Sequence, residues 1–147
     1  MAKIILVFGS TSGNTEDLTE SVVDGLKSGG AEVTVKNVTD ASVNELKDYD
    51  AIVFGCPTYG DGELQDDFID FSAAMSNISL EGKKAAVFGP GDSGSYPDTF
   101  CQAVDILEDM LKKYGAKIVV DGLKVDGDVI AAIVDAETWG SEVAGAI

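Results

Sequence analysis

Histidine and arginine are absent from the 147 residues, cysteine occurs twice and proline three times, and the longest apolar stretches are five or six residues. Each absence removes a class of function. Without histidine there is no Ser-His-Asp or Cys-His catalytic group, no His-ligated zinc and no imidazole proton shuttle. Two cysteines, Cys56 and Cys101, cannot supply the four protein ligands of an iron–sulfur cluster. A disulfide between them is not expected in a reducing compartment, and both read as small buried residues. The apolar stretches fall far short of the roughly 20 residues that span a bilayer. The start of the chain has neither the basic segment nor the long apolar core of a signal peptide. A soluble, cytoplasmic protein is expected.

Positive charge is scarce as well. Ten lysines stand against 26 Asp and Glu, a net charge of −16. Nucleic acid and anionic membranes repel such a chain, so neither is expected as a partner. Electrostatics favours docking onto basic patches of other proteins. The length suits one domain, expected to span residues 1–147, with a core of ordinary size.

What is present is an alternation of strand and helix patterns. The apolar run Ile4-Ile5-Leu6-Val7-Phe8 reads as a strand. Residues 15–28 place Leu18, Val22, Val23 and Leu26 on one helical face, and Gly29-Gly30 ends that helix. Glu32 to Val38 alternates like a strand with one exposed side, and Val43 and Leu46 suggest two helical turns. Tyr49 to Gly55 reads as a strand covered on both faces. Beyond it, a helix is predicted over 65–76, a buried strand over 84–89, a helix over 98–114, a strand over 117–120 and a last helix from Asp128 to about Ala144. Five strands alternating with about five helices call for an α/β fold: a parallel sheet with helices on both faces, joined by right-handed crossovers.

In such a sheet ligands bind beyond the carboxyl ends of the strands, where the strand order reverses. Three loops at such ends carry chemistry. The first, Ser10-Thr11-Ser12-Gly13-Asn14-Thr15, follows the first strand and opens the first helix. Its hydroxyls, backbone N–H groups and helix dipole suit a phosphate, and a single helix cap needs only one such residue. The second is Cys56-Pro57-Thr58-Tyr59-Gly60-Asp61-Gly62-Glu63 and the third Pro90-Gly91-Asp92-Ser93-Gly94-Ser95-Tyr96-Pro97. Each of these joins an aromatic residue to glycines and carboxylates with no base. A planar, neutral, hydrogen-bonding ring held between two tyrosines accounts for that composition.

Residues 10–15 resemble the phosphate-binding loop of flavodoxins, the small FMN-containing electron carriers. Thr58-Tyr59-Gly60-Asp61 and Gly91-Asp92-Ser93-Gly94-Ser95-Tyr96 resemble that family's two flavin-flanking loops, in the same order and at matching distances. The resemblance covers the whole chain. It is similar to the short-chain members, and Leu64-Gln65-Asp66-Asp67-Phe68 and Phe100-Cys101-Gln102-Ala103-Val104-Asp105 resemble those of sulfate-reducing bacteria. Tyr59 stands where several members carry Trp.

The resemblance implies a flavodoxin-like, doubly wound, five-stranded parallel sheet of order 2-1-3-4-5. It implies non-covalent FMN, with a low-potential one-electron carrier cycling among its quinone, semiquinone and hydroquinone states rather than an enzyme with its own substrate. Carried over residue by residue, Ser10, Thr11, Ser12, Gly13, Asn14 and Thr15 hold the phosphate. Pro57, Thr58, Tyr59, Gly60, Asp61, Pro90, Gly91, Asp92, Tyr96, Phe100 and Cys101 surround the ring. The Gly60-Asp61 peptide rotates to offer its carbonyl to flavin N5. Asp61, Glu63, Asp66, Asp67, Asp70, Asp92 and Asp98 disfavour added negative charge on the ring. Expected partners are redox proteins with basic patches, such as reductases, cytochromes and hydrogenase-type or oxidoreductase systems, met by a monomer.

Other readings fit less well. Gly89-Pro90-Gly91-Asp92-Ser93-Gly94 matches the dinucleotide fingerprint, yet it follows the fourth strand and sets Asp92 where pyrophosphate would be repelled. A P-loop needs Lys where Asn14 stands. A receiver domain needs acidic residues where Gly9-Ser10 and Cys56-Pro57 stand. The better rival is a small FMN-dependent reductase acting directly on a substrate, and a third reading is a flavin-free interaction module.

Overall fold

The computed structural model describes residues 3–9, 14–56, 58–59, 63–64, 66–91, 102–126 and 133–147. The chain begins with β1 (Lys3–Phe8), α1 (Asn14–Ser28), β2 (Glu32–Asn37), a 3-10 helix (Val43–Asp48) and β3 (Ala51–Gly55). Two short strands follow, β4 (Thr58–Tyr59) and β5 (Glu63–Leu64), and then α2 (Asp66–Ala74), which tightens into a 3-10 turn (Met75–Asn77). The remainder is β6 (Lys84–Gly91), α3 (Gln102–Lys113), β7 (Lys117–Ile118), β8 (Leu123–Asp126) and α4 (Ile133–Ala146).

The main sheet has the order β2-β1-β3-β6-β7, with β8 also beside β6, and every pairing is parallel. This is the expected 2-1-3-4-5 order, with β6 fourth and β7 and β8 sharing the fifth place. Strand alternation divides the core into two layers. Ile5, Val7, Ile52, Phe54, Ala85 and Val87 pack with residues of α2 and α3. Ile4, Leu6, Phe8, Val53, Ala86 and Phe88 pack with residues of α1 and α4. On the first side Phe54, Phe68 and Phe71 meet edge to face, with centroids 5.5, 5.9 and 6.0 Å apart. On the second, Phe88 meets Trp139 edge-on at 5.8 Å, and the indole Nε1 donates to the Asp121 carbonyl at 2.8 Å.

Helix ends follow the expected chemistry. Gly30, at φ 93°, ends α1: its N–H reaches Lys27 O at 3.0 Å and that of Ala31 reaches Leu26 O at 3.1 Å. That pair of bonds satisfies carbonyls the helix leaves open, in a conformation only glycine adopts freely. The 3-10 helix opens on a capping box between Ser42 and Glu45. The Glu45 carboxyl is held below its ordinary range by the Lys36 ammonium and by the Ser42 N–H.

Several boundaries differ from the sequence expectation. The strand predicted over 117–120 stops at Ile118, although Val119 still donates to Ala85 O at 3.1 Å. It resumes as β8, and Ile118 to Leu123 holds two more residues than the facing stretch Ala85 to Phe88. The extra length forms a bulge between Ile118 and Leu123, with Gly122 pressed onto α3, where a Cβ would lie 2.6 Å from Val104 Cγ1. The helix predicted over 65–76 is α-helical only to Ala74. α3 and α4 are described from Gln102 and Ile133, and the earlier parts of their predicted spans lie outside the described residues. β2 is an edge strand, and Val35 on it is 41% exposed. The β4–β5 hairpin was not anticipated. Cys56 is buried, as expected, while Cys101 lies outside the described residues.

Two predictions follow from this packing. α1 and α4 cross at Gly25 and Gly140, and Ser141 Oγ donates to the Gly25 carbonyl at 3.1 Å. Gly25→Ala gains about 1 kcal/mol of helix propensity, but its methyl would sit 2.0 Å from the Glu137 carbonyl oxygen. Overpacking costs about 1–3 kcal/mol, so urea unfolding should show a net loss of stability. Gly145→Ala, whose Cβ meets nothing within 4 Å, should be neutral or stabilising.

Glu108 on α3 faces the bulge, with Oε1 3.2 Å from the Cβ position of Gly122. Burial pushes its carboxyl pKa up, reinforced by Asp105 and Asp121 and opposed by Lys112 and Lys124. A carboxyl whose pKa is raised by folding opposes folding when ionised, and the penalty disappears once the pH falls below its unfolded value. Glu108→Gln should therefore raise Tm at pH 7 and leave it unchanged at about pH 3.5, below the ordinary carboxylate range. Thermal melts at the two pH values check this. An equal difference at both would rule out ionisation as the cause.

Candidate cofactor-binding site

The carboxyl ends of β1 and β3 are level with Phe88 of β6, which runs on to Gly91 beside β8. Phe8 stands opposite Gly55, and Gly55 opposite Phe88. Beyond the paired residues the ends stay joined, since Gly9 N–H donates to Gly55 O at 2.9 Å and Cys56 N–H to Phe88 O at 3.1 Å. The chain order reverses here, because β2 lies on one side of β1 and β3 on the other. All three loops singled out in the sequence leave from this edge.

Asn14 and Thr15 are the first two residues of α1, so its open N–H groups start at the switch point. Thr58 and Tyr59 form β4, which pairs antiparallel with β5 so that Tyr59 faces Glu63 in the register. Pro90 and Gly91 end β6, where they pair with Val125 and Asp126 of β8. Ser10, Thr11, Ser12, Gly13, Pro57, Gly60, Asp61, Asp92, Tyr96, Phe100 and Cys101 lie outside the described residues. The fold therefore brings together the stems of the three loops singled out in the sequence.

Sequence reasoning missed three contributors. The hairpin β4–β5 stands beside β6 and α3, and its two-residue strands are too short for a periodic signal. Gly55 and Gly89 sit inside strands whose ends approach closely. A Cβ on Gly55 would meet the Phe88 ring at 2.4 Å, and one on Gly89 the Cys56 carbonyl oxygen at 2.1 Å. An isolated glycine inside a buried strand marks such an approach and was the available signal.

Charge is segregated along the strand direction. Lys3, Lys84 and Lys117 start strands, Lys83 precedes β6, and Lys47 sits near the end of the 3-10 helix leading to β3. Lys27, Lys112 and Lys113 occupy last helical turns that return to the same amino end of the sheet. The other two lysines are neutralised locally: Lys36 pairs with Glu45, and Lys124 with Asp105 at 2.9 Å. No lysine lies in the three loops. Among the described residues no cluster of three His, Cys, Asp or Glu could hold a metal ion, and no helix is long and apolar enough to cross a membrane.

The donor set suits a phosphate. A helix N-terminus at the switch point, entered through a hydroxyl-rich segment without a lysine, offers neutral donors to an anion. A parallel sheet of this order, with its first strand-to-helix turn at the switch point, defines the flavodoxin-like class of doubly wound α/β proteins. Comparison with known families and structures agrees. The flavodoxin family model matches residues 6–139, and the chain belongs to the flavodoxin family. It is 45% identical over 151 residues to a flavodoxin of Maridesulfovibrio salexigens, with 100% of each chain covered. Oxidised flavodoxin 1 of Bacillus cereus superposes with a TM-score of 0.89 at 36% identity, covering 99% of both chains. A Fusobacterium nucleatum flavodoxin bound to flavin mononucleotide shares the fold at a TM-score of 0.84 and 17% identity, covering 96% of this chain and 95% of that one.

Proposed function

We propose that the chain is a low-potential one-electron carrier that binds FMN non-covalently at the carboxyl edge of the sheet and passes electrons between redox proteins. The observation that carries this reading is the convergence of three loop stems at the switch point of a flavodoxin-family chain. Bound FMN supplies the one-electron chemistry. Residues 10–15 hold its phosphate through backbone N–H groups and hydroxyls, with the α1 N-terminus favouring the negative charge. Pro57, Thr58, Tyr59, Gly60, Asp61, Pro90, Gly91, Asp92, Tyr96, Phe100 and Cys101 enclose the ring, and the two tyrosines exclude water from its faces.

The carboxylates of these loops oppose electron addition. At an effective dielectric of about 20, a charge roughly 10 Å from the ring contributes between about 1 and 2 kcal/mol before salt screening. Gly60 lets the peptide joining it to Asp61 adopt both orientations, because it has no Cβ to forbid either.

A single domain over residues 1–147, acting as a cytoplasmic monomer, docks on basic patches of reductases, cytochromes, and hydrogenase-type or oxidoreductase systems. The chain is a carrier and not an enzyme with its own substrate. A reductase acting directly on a small molecule would need a placed proton donor, and the three loops carry neither histidine nor lysine to supply one.

Purified protein mixed with FMN should show flavin absorbance bands that stay with it through gel filtration. NADPH alone should leave those bands oxidised, and NADPH with a catalytic amount of a flavodoxin reductase should bleach them. No FMN uptake removes the redox reading, while bleaching by NADPH alone favours the enzyme.

Gly60→Ala should narrow the separation of the two one-electron potentials in a redox titration. An unchanged separation would remove the role given to the Gly60 peptide.

A further inference from the structure

We infer that Gly89 is a positioning residue for the flavin: the space where its side chain would be is filled by the Cys56 carbonyl, and this contact sets the separation of the two ring loops. The inference rests on the FMN reading above. A Cβ on Gly89 would lie 2.1 Å from Cys56 O, 3.2 Å from Cys56 C and 3.2 Å from Val104 Cγ2. The first overlap is with backbone, which cannot rotate away. Val104 is fully buried on α3 and closes the other direction.

Backbone conformation does not explain the glycine. Among the described glycines, positive φ occurs at Gly30, Gly82 and Gly115, and not at Gly89. Gly89 is an ordinary ladder residue of β6, paired with Lys124 of β8. Glycine inside a strand is less favourable than alanine, so its place here has to be justified by space. Gly55 differs, since its nearest neighbour is the tip of the Phe88 ring, on the opposite face of the sheet.

The position of the contact gives it consequence. Cys56 is the last residue before the loop that carries Pro57, Tyr59 and Asp61, and Gly89 the last before Pro90, Gly91 and Asp92. The Cys56 N–H is fixed on Phe88 O at 3.1 Å, so the β3 chain is pinned to β6 at the residue whose carbonyl meets Gly89. A methyl group at Gly89 forces that carbonyl outward, and the displacement falls on the loop leaving Cys56.

The test compares wild-type protein, Gly89→Ala and Gly115→Ala. Gly115 lies at the opposite end of the sheet, at φ 104°, with its Cβ position 2.9 Å from the Glu81 backbone nitrogen. Both variants should lose stability and keep the wild-type far-UV circular dichroism. Gly89→Ala alone should weaken FMN binding by about tenfold or more, equivalent to about 1.4 kcal/mol, and alter both the visible circular dichroism of bound FMN and the two one-electron potentials. Gly89→Ala that loses stability like Gly115→Ala but keeps wild-type affinity and visible spectrum overturns the inference. Should Gly89→Ala not fold, the double variant with Val104→Ala frees the α3 side and leaves the carbonyl overlap, with the same binding loss expected. Failure of both to fold also overturns it, because the displacement would then lie in the sheet and not in the loop. Wild-type protein that takes up no FMN overturns the functional reading itself, a separate outcome.

Discussion

The backbone hydrogen bonds that carry β1 and β3 one step past their ends, Gly9 to Gly55 and Cys56 to Phe88, hold both chain exits against β6, which runs on to Gly91. Everything proposed for the site depends on that. A cofactor gripped by loops from three strands is placed only as well as the loop stems are placed, and parallel pairing in register supplies the placement. The layers beneath prevent it from shifting. Fully buried Ile4, Ile5, Leu6 and Val7 of β1 are packed on both faces, so a slip of one residue would exchange the two core layers.

Rigidity on the two faces comes from different chemistry. On the α2 and α3 side three phenylalanines interlock edge to face. On the α1 and α4 side the two helices approach through glycines, and Trp139 ties α4 to the bulge beside β8 through the Asp121 carbonyl. That bond fixes the one place where the fifth strand is interrupted. The bulge is therefore a held feature, and β8 can resume beside the end of β6 from which the third loop leaves.

The fold was legible because β1, β3 and β6 are buried on both faces and read as continuous apolar runs, whereas α1 and α3 repeat their apolar residues at helical spacing. Both patterns are local. What escaped was set by tertiary contact. The break after Ile118 has no local signature, because Val119 and Val120 are as apolar and β-branched as a strand requires. β8 alternates only over four residues between glycines, and the β4–β5 hairpin rests on a single pair of two-residue strands. At the site, residue types indicated which loops carry chemistry. The topology had to show that their stems meet, and Gly55 and Gly89 carry no chemistry of their own to be noticed.

The segregation of lysine joins fold to function. Holding a phosphate with a lysine is the simpler solution, but a lysine about 10 Å from the ring would offset roughly one carboxylate. Helix-terminal N–H groups and hydroxyls hold an anion through fixed dipoles whose field falls within the first turn. On the proposed reading binding and redox tuning are thus separated: the phosphate would meet a local positive end, and the ring would experience the acidic loops. Eight lysines gathered at the amino end of the sheet, and the other two each paired with a carboxylate, leave that acidic edge uncompensated. On the proposed reading, the same edge that would make a bound ring reluctant to accept an electron would also attract a basic partner to the place where the electron leaves.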